Sequence, residues 1–228
     1  MIEAPSRPAE ASGQTTPPHH LVVLANPEPA SFDHGLADAY ATTVETCGQR
    51  ATLRDLNAIG FDPVLKAGER PGDRAVDIAA DVRAEIDLLA VSAILVLVYP
   101  IWFGGPPAIL KGYVDRVLGA DYSFRQFREG AGQGHLRGKR LLSITTSGTS
   151  IPWLHERGQM LSLREGFDVY LERGFGMRDS QHLSIDNVVP RLSPRYAAEQ
   201  VERVHEAARQ ACATLLDESR AGRMAARD

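Results

Sequence analysis

Two cysteines in 228 residues are too few for a disulfide framework. Cys47 and Cys212 lie far apart in segments that read as helices, and no C-x-x-C pair is present, so no zinc ribbon is indicated and a reducing, cytoplasmic setting is expected. An excess of one charge is also lacking: 25 Lys plus Arg stand against 29 Asp plus Glu, a formal net charge of −4, which offers no footprint for nucleic acid or anionic lipid. The most apolar stretch, Val91 to Phe103, falls short of the roughly 20 residues that a membrane span needs, and Gly104-Gly105-Pro106-Pro107 breaks it. No Gly/Ser linker, repeat or shift in composition divides the chain. With 43% apolar, 24% charged and only 7% aromatic residues it reads as one soluble domain over residues 20–219. A Pro-rich disordered tail without the apolar core of a signal peptide is expected at 1–19, and a short polar tail at 220–228.

Within that domain the periodicity alternates between strand and helix. Leu21 to Ala25 is a continuous apolar run of the kind buried on both faces of a parallel sheet. Ser31 can N-cap a helix that carries Leu36, Ala39, Tyr40 and Val44 on one face and ends at Gly48. Strands follow at Ala51–Leu56, Val91–Val98, Arg140–Thr146 and Met177–Ile185. Helices are expected at Ala75–Ala90, Pro107–Leu118, Gly158–Arg173 and Ser193–Asp217, with Lys111 and Asp115 as an outer i,i+4 pair. This alternation implies an α/β fold, a doubly wound parallel sheet.

Ligands of such sheets bind outside the carboxyl ends of the strands, where the strand order reverses. Three loops leave those ends. Asn26 to Phe32 presents backbone N–H groups and the Ser31 hydroxyl at a helix N-terminus, suited to a phosphate. Tyr99 to Pro106 sets aromatic faces beside a glycine-lined backbone, suited to a flat ring. Thr145 to Ser150 supplies small hydroxyl and glycine residues for a polar ring edge. Together they describe a phosphorylated planar heterocycle, for which flavin is the obvious candidate. The Asn-Pro turn explains Asn26 about as well as a phosphate contact does.

The stretch Tyr99-Pro-Ile-Trp-Phe-Gly-Gly-Pro-Pro-Ala-Ile-Leu-Lys-Gly-Tyr-Val-Asp-Arg-Val-Leu118 resembles the flavin-binding loop and following helix of the flavodoxin-like NAD(P)H:quinone oxidoreductases, the DT-diaphorase-like family. Asn26, Ser31-Phe32, Asp55-Leu56, Gly60-Phe61-Asp62-Pro63 and Leu142 to Gly148 support the resemblance in the same order, over roughly residues 20 to 185. It implies a flavodoxin-like five-stranded sheet of order 2-1-3-4-5, a homodimer with the flavin, FMN or FAD, near the interface, and NAD(P)H as electron donor. Asn26, Ser31 and Phe32 match positions at the cofactor phosphate and ribityl chain. Pro100, Ile101, Trp102, Phe103 and Gly104 match the loop along the isoalloxazine ring, and Thr146, Ser147, Gly148 and Thr149 match its pyrimidine side. The family often has an imidazole where this chain has Asn26, and its polar-then-Trp pair is here Trp102-Phe103. Animal members carry a Tyr and a His beyond the third loop; His155 is the nearest chemical equivalent and the candidate catalytic residue, with an exposed helix-entry position as the alternative reading.

The implied reaction is a ping-pong, two-electron reduction of a small flat acceptor such as a quinone, azo or nitro compound. A flavin-binding regulatory subunit or a flavodoxin-type electron carrier is the competing class. Other motifs carry less. Gly130-Ala-Gly-Gln-Gly-His135 follows no strand and opens no helix, so it reads as a connection. His155-Glu156 and His205-Glu206 each lack the second His of H-E-x-x-H, so no metal site is expected. No G-x-S-x-G elbow makes Ser147 a nucleophile.

Overall fold

The computed structural model describes residues 16–69, 78–120 and 134–225. Five parallel strands form one sheet in the order β2-β1-β3-β4-β5: β1 His19–Leu24, β2 Arg50–Asp55, β3 Ile94–Pro100, β4 Arg140–Thr146 and β5 Asp179–Ile185. This is the doubly wound architecture and strand order expected from the sequence. Alternate residues of the inner strands feed two cores. Leu21, Val23, Leu95, Leu97 and Leu141 face one side, where they pack with α2 (Ala80–Val91), α3 (Ala108–Tyr113, continued by a π-helical turn Val114–Leu118), Leu163 of α5 (Gln159–Leu163) and Leu171 of α6 (Val169–Phe175). Val22, Leu24, Val96, Val98, Leu142 and Ile144 face the other, against α1 (Phe32–Thr46) and α7 (Pro194–Ala225). Burial on both faces explains why the first and third strands read as unbroken apolar runs instead of alternating.

The boundaries differ from the sequence reading in places. Strand β1 begins at His19, inside the expected tail, because His20 is wholly buried and bonds Tyr40 and Gln49. Helix α7 runs to Ala225 instead of ending near Asp217, since small and charged residues with high helix propensity continue its solvent face. The segment expected to enter a single helix at Gly158 forms its own short helix, α4 Ile151–Glu156, and Gly158 in the left-handed region at φ +68° separates it from α5. A π-helical turn, Arg164–Asp168, then joins α5 to α6. Most of the N-terminal tail (1–15), the start of the helix expected from Ala75, the glycines of 130–133 and the end of the C-terminal tail (226–228) lie outside the described residues.

Two interactions fix the helices beside the sheet. Arg116 on α3 is 2% exposed and bonds Glu69 at 2.8 and 2.6 Å, with Asp81 at 2.8 Å, over the Phe61 ring. The guanidinium holds the Glu69 and Asp81 carboxyls below the usual carboxylate range. Gly112, one turn earlier, packs so closely on Pro63 that a Cβ would lie 2.3 Å from its carbonyl oxygen.

Candidate functional site

The sheet order places the switch point between β1 and β3, whose connections leave on opposite faces. Their loops are stitched together just beyond the strands: Ala25 N–H donates to Val98 O at 3.0 Å, Ile101 N–H to Thr146 O at 2.7 Å, and Ser147 N–H to Ile185 O at 2.9 Å. A cavity of about 350 Å³ opens above these bonds. Asn26, Ser31 and Phe32 line it from the first loop, Pro100, Ile101 and Trp102 from the second, and Thr146, Ser147 and Gly148 from the third. Nine of the twelve binding residues expected from sequence therefore converge from three separate segments. Another depression, of about 450 Å³, lies beside His19, Arg50 and Val91 at the amino ends of the strands, away from these loops.

The first loop is built around α1. Ser31 caps the helix, accepting from His34 N–H at 3.4 Å while its hydroxyl also pairs with His34 Nδ1 at 2.8 Å. His34 Nε2 in turn pairs with Asp55 Oδ2 at 2.9 Å, tying the cap to the end of β2. Asn26 serves the turn: its Oδ1 accepts from Glu28 N–H at 3.0 Å and its Nδ2 donates to Asp33 Oδ2 at 2.6 Å. The first-turn N–H groups of α1 face the loop with the helix dipole behind them, an anion-binding end that needs no basic side chain.

The second loop contains a tight hairpin. Trp102 and Gly105 exchange both backbone hydrogen bonds at 3.0 Å, and the two residues between them have positive φ, Phe103 at +51° and Gly104 at +83°. That is the signature of a type I′ turn, which glycine accepts readily and phenylalanine does not. The turn leaves the Phe103 and Gly104 N–H groups outside its own ladder. Trp102 is 44% exposed along the cavity, whereas Phe103 is not among the lining residues and is fully exposed. The Trp102 N–H is consumed within the hairpin.

Three of the expected residues stand outside the cavity lining: Phe103, Gly104 and Thr149. Thr149 N–H donates to Ser147 Oγ at 3.0 Å and so shapes the third loop. His155 occupies the exposed last turn of α4, next to Trp153, whose ring is covered by Arg157 at 5.6 Å. It too is absent from the cavity lining.

Sequence reasoning passed over Asp33, Glu28 and Val188, which also line the cavity. Asp33 is the most informative. It is 2% exposed, accepts from Asn26 and from Thr146 Oγ1 at 2.8 Å, and burial pushes its carboxyl above the ordinary value of 3.8. An acidic residue in a first helical turn is common for dipole reasons alone, so its identity gave no signal that it sits beneath the cavity.

The donor set fits a flavin. A helix N-terminus suits the phosphate, a half-exposed indole suits a ring face, and a turn with free N–H groups and a glycine-bearing hydroxyl loop suit the polar ring edge. The fold and this cavity define a flavodoxin-like protein. The chain belongs to the family described as "Flavodoxin-like fold" (Flavodoxin_2), whose model matches residues 18–212. It is 32% identical over 146 residues to a protein of Haemophilus influenzae named "Uncharacterized NAD(P)H oxidoreductase", covering 64% of this chain and 72% of that protein. It is 28% identical to rat "NAD(P)H dehydrogenase [quinone] 1" over 57% of this chain, and the match spans about half, 53%, of the rat protein. Among solved structures, the NAD(P)H:quinone oxidoreductase of Methanothermobacter marburgensis aligns with a TM-score of 0.71 at 20% identity, covering 85% of this chain and 98% of that one. At that identity the likeness concerns the fold.

Proposed function

We propose that the protein is an NAD(P)H-dependent flavin oxidoreductase that reduces quinones, or azo and nitro compounds of similar flat, electron-poor character, by two-electron ping-pong transfer. The observation that carries this reading is the convergence of the three loops on one cavity at the β1/β3 switch point. The names borne by the Haemophilus and rat relatives support the reaction class.

A flavin, when bound, would supply the hydride chemistry between the nicotinamide and the acceptor. The chain's residues bind and orient. The α1 N-terminus, capped by Ser31, holds the phosphate, with Phe32 alongside the ribityl region. Pro100, Ile101 and Trp102 form the wall against the ring, and the Phe103 and Gly104 N–H groups donate to its edge. Thr146, Ser147 and Gly148, with Thr149 shaping their loop, fix the pyrimidine side. His155, on the α4 rim, is the candidate for balancing negative charge on the reduced ring. The exposed rings of Trp102, Phe103 and Trp153 support a homodimer. The free thiols of Cys47 and Cys212 favour a cytoplasmic site of action.

Extraction and chromatography of the bound cofactor, followed by anaerobic reduction with NADH and NADPH separately, tests the proposal and separates FMN from FAD. Bleaching of the flavin by a reduced nicotinamide, and its return on adding a quinone, are expected. A protein that retains no flavin after reconstitution overturns it. His155→Ala should keep the flavin and lose turnover; unchanged turnover removes His155 from the mechanism.

A further inference from the structure

The cavity that suits a flavin phosphate also holds a buried acid. Asp33, in the first turn of α1, lines the cavity and is 2% exposed. Asn26 Nδ2–H donates to its Oδ2 at 2.6 Å, and the Thr146 hydroxyl donates to its Oδ1 at 2.8 Å. Both donors are neutral, and among the described residues no salt bridge reaches the Asp33 carboxylate. The lining adds a second carboxylate, the exposed Glu28, and among the described residues it contains no Lys, Arg or His. The other titratable groups around Asp33 are engaged with one another. His34, its neighbour on α1, pairs through Nε2 with Asp55 at the end of β2, at 2.9 Å, and through Nδ1 with the Ser31 hydroxyl, at 2.8 Å. From β3 and its loop come Pro100, Ile101 and Trp102, which do not titrate, and from β4 the hydroxyls of Thr146 and Ser147. The loop after β5 contributes Val188, and its Asp186 carboxylate accepts from Ile151 N–H and from the Tyr196 hydroxyl, both at 2.9 Å. The α1 dipole supplies only about half a positive charge at this end. A phosphomonoester carries about −1.5 to −2 near neutral pH, so an ionised Asp33 beside it leaves the subsite with a large unbalanced negative charge.

From this imbalance we infer that Asp33 is a proton-carrying residue of the phosphate subsite: its carboxyl takes up one proton when a phosphate enters, and the resulting O–H donates to a phosphate oxygen. The proton moves from solvent to a carboxyl oxygen, and no bond at phosphorus is made or broken. Two like charges then no longer face each other in a partly desolvated cavity. Asn26 and Thr146 keep their acceptors, because a protonated carboxyl retains lone pairs on both oxygens. Burial already raises the Asp33 carboxyl above 3.8, which favours the same neutral form. Binding and proton uptake are therefore linked, and phosphate affinity falls as pH rises. The inference rests on the flavin reading of the cavity and assigns to that site a residue that selects its ligand by charge.

The test compares FMN with riboflavin, which lacks the phosphate, by fluorescence titration of the full chain and of Asp33→Asn, both freed of flavin, between about pH 5 and 8. In Asp33→Asn the amide oxygen can accept from Asn26 and the amide nitrogen can donate to Thr146 Oγ1, so a neutral, hydrogen-bonded side chain is present at every pH. The FMN Kd of the wild type divided by that of the variant should climb with pH, by up to about tenfold per unit and by about tenfold or more across the range. This ratio cancels the titration of the FMN phosphate itself. The riboflavin ratio should stay flat, and Glu28→Gln should keep the wild-type slope. Calorimetry near pH 7 in buffers of different ionisation heat reads the proton on the native protein without any variant: a net proton should be taken up with FMN and none with riboflavin. A flat FMN ratio, equal proton uptake with both flavins, or a slope that vanishes in Glu28→Gln overturns the inference and leaves the flavin reading standing. A wild-type chain that binds neither flavin overturns both.

Discussion

Thr146 at the end of β4 donates its hydroxyl hydrogen to the buried carboxylate of Asp33 on α1, 2.8 Å away. This bond joins two of the three cavity loops through a residue that also receives the Asn26 side chain. Asp33→Ala leaves both donors without their acceptor and should cost about 1–3 kcal/mol of stability. Flavin retention should fall with it, because the Asn26 turn and the Thr146 loop lose their common tie. Paired measurements of denaturant midpoint and flavin dissociation check this, and a variant with native stability and native flavin affinity would refute it.

The hairpin tip holds a strained residue. Phe103 adopts φ +51° at a position where asparagine or glycine is at ease. Phe103→Asn should therefore stabilise the protein by about 1 kcal/mol while weakening the aromatic surface that the Phe ring provides. Gly104→Ala should do the reverse: its Cβ meets no atom within 4 Å, so any loss of stability comes from the φ of +83° alone. Melting curves of the two variants should move in opposite directions.

Two glycines separate packing from propensity. A Cβ on Gly112 would lie 2.4 Å from Pro63 Cα and Cβ, and both partners are held by the Arg116 network around them. Gly112→Ala should destabilise by about 1–3 kcal/mol through overpacking. A Cβ on Gly35 of α1 meets nothing within 4 Å, so Gly35→Ala should stabilise by up to about 1 kcal/mol through helix propensity. Thermal denaturation of both variants gives the comparison.

Acid should weaken the fold through His20. Burial lowers its pKa from 6.5 to about 4, so between these values the unfolded chain binds more protons than the folded one. Stability from this group is complete above pH 6.5 and is lost as pH falls toward 4, by about 3 kcal/mol at most. Asp33 works in the opposite sense, because burial raises its pKa: its contribution is largest below 3.8 and declines as pH rises through the folded value. Comparing wild type with His20→Asn by urea unfolding at several pH values isolates the imidazole. A pH dependence that persists unchanged in His20→Asn would assign the effect elsewhere.

Much of this molecule is written locally. The run Leu21–Ala25, all fully buried, could only suit a strand covered on both faces, and the Ser31 cap, the outer Lys111–Asp115 pair at 2.5 Å and the Arg140–Thr146 strand all appear where periodicity put them. Those features depend on residues a few positions apart, so local chemistry sufficed to read them. The three cavity loops were legible because parallel strands must end together and glycine, hydroxyl and aromatic residues mark their exits.

What the sequence could not disclose are relationships that exist only after the sheet has closed. Asp33 and Thr146 are 113 positions apart, and only the adjacency of α1 to the end of β4 makes one the acceptor of the other. Phe103 reads as a ring wall by type, yet the handedness of a two-residue turn sends its side chain outward into solvent. His155 has suitable chemistry, and only the fold shows that it sits in the exposed last turn of α4 and is not among the residues lining the cavity. Gln49 and Cys212, 163 positions apart, are joined by a side-chain amide donating to a backbone carbonyl because α1 and α7 pack on the same sheet face. Composition and short-range pattern thus determined the strands, helices and loop chemistry; the burial, orientation and pairing of individual side chains were decided by long-range packing.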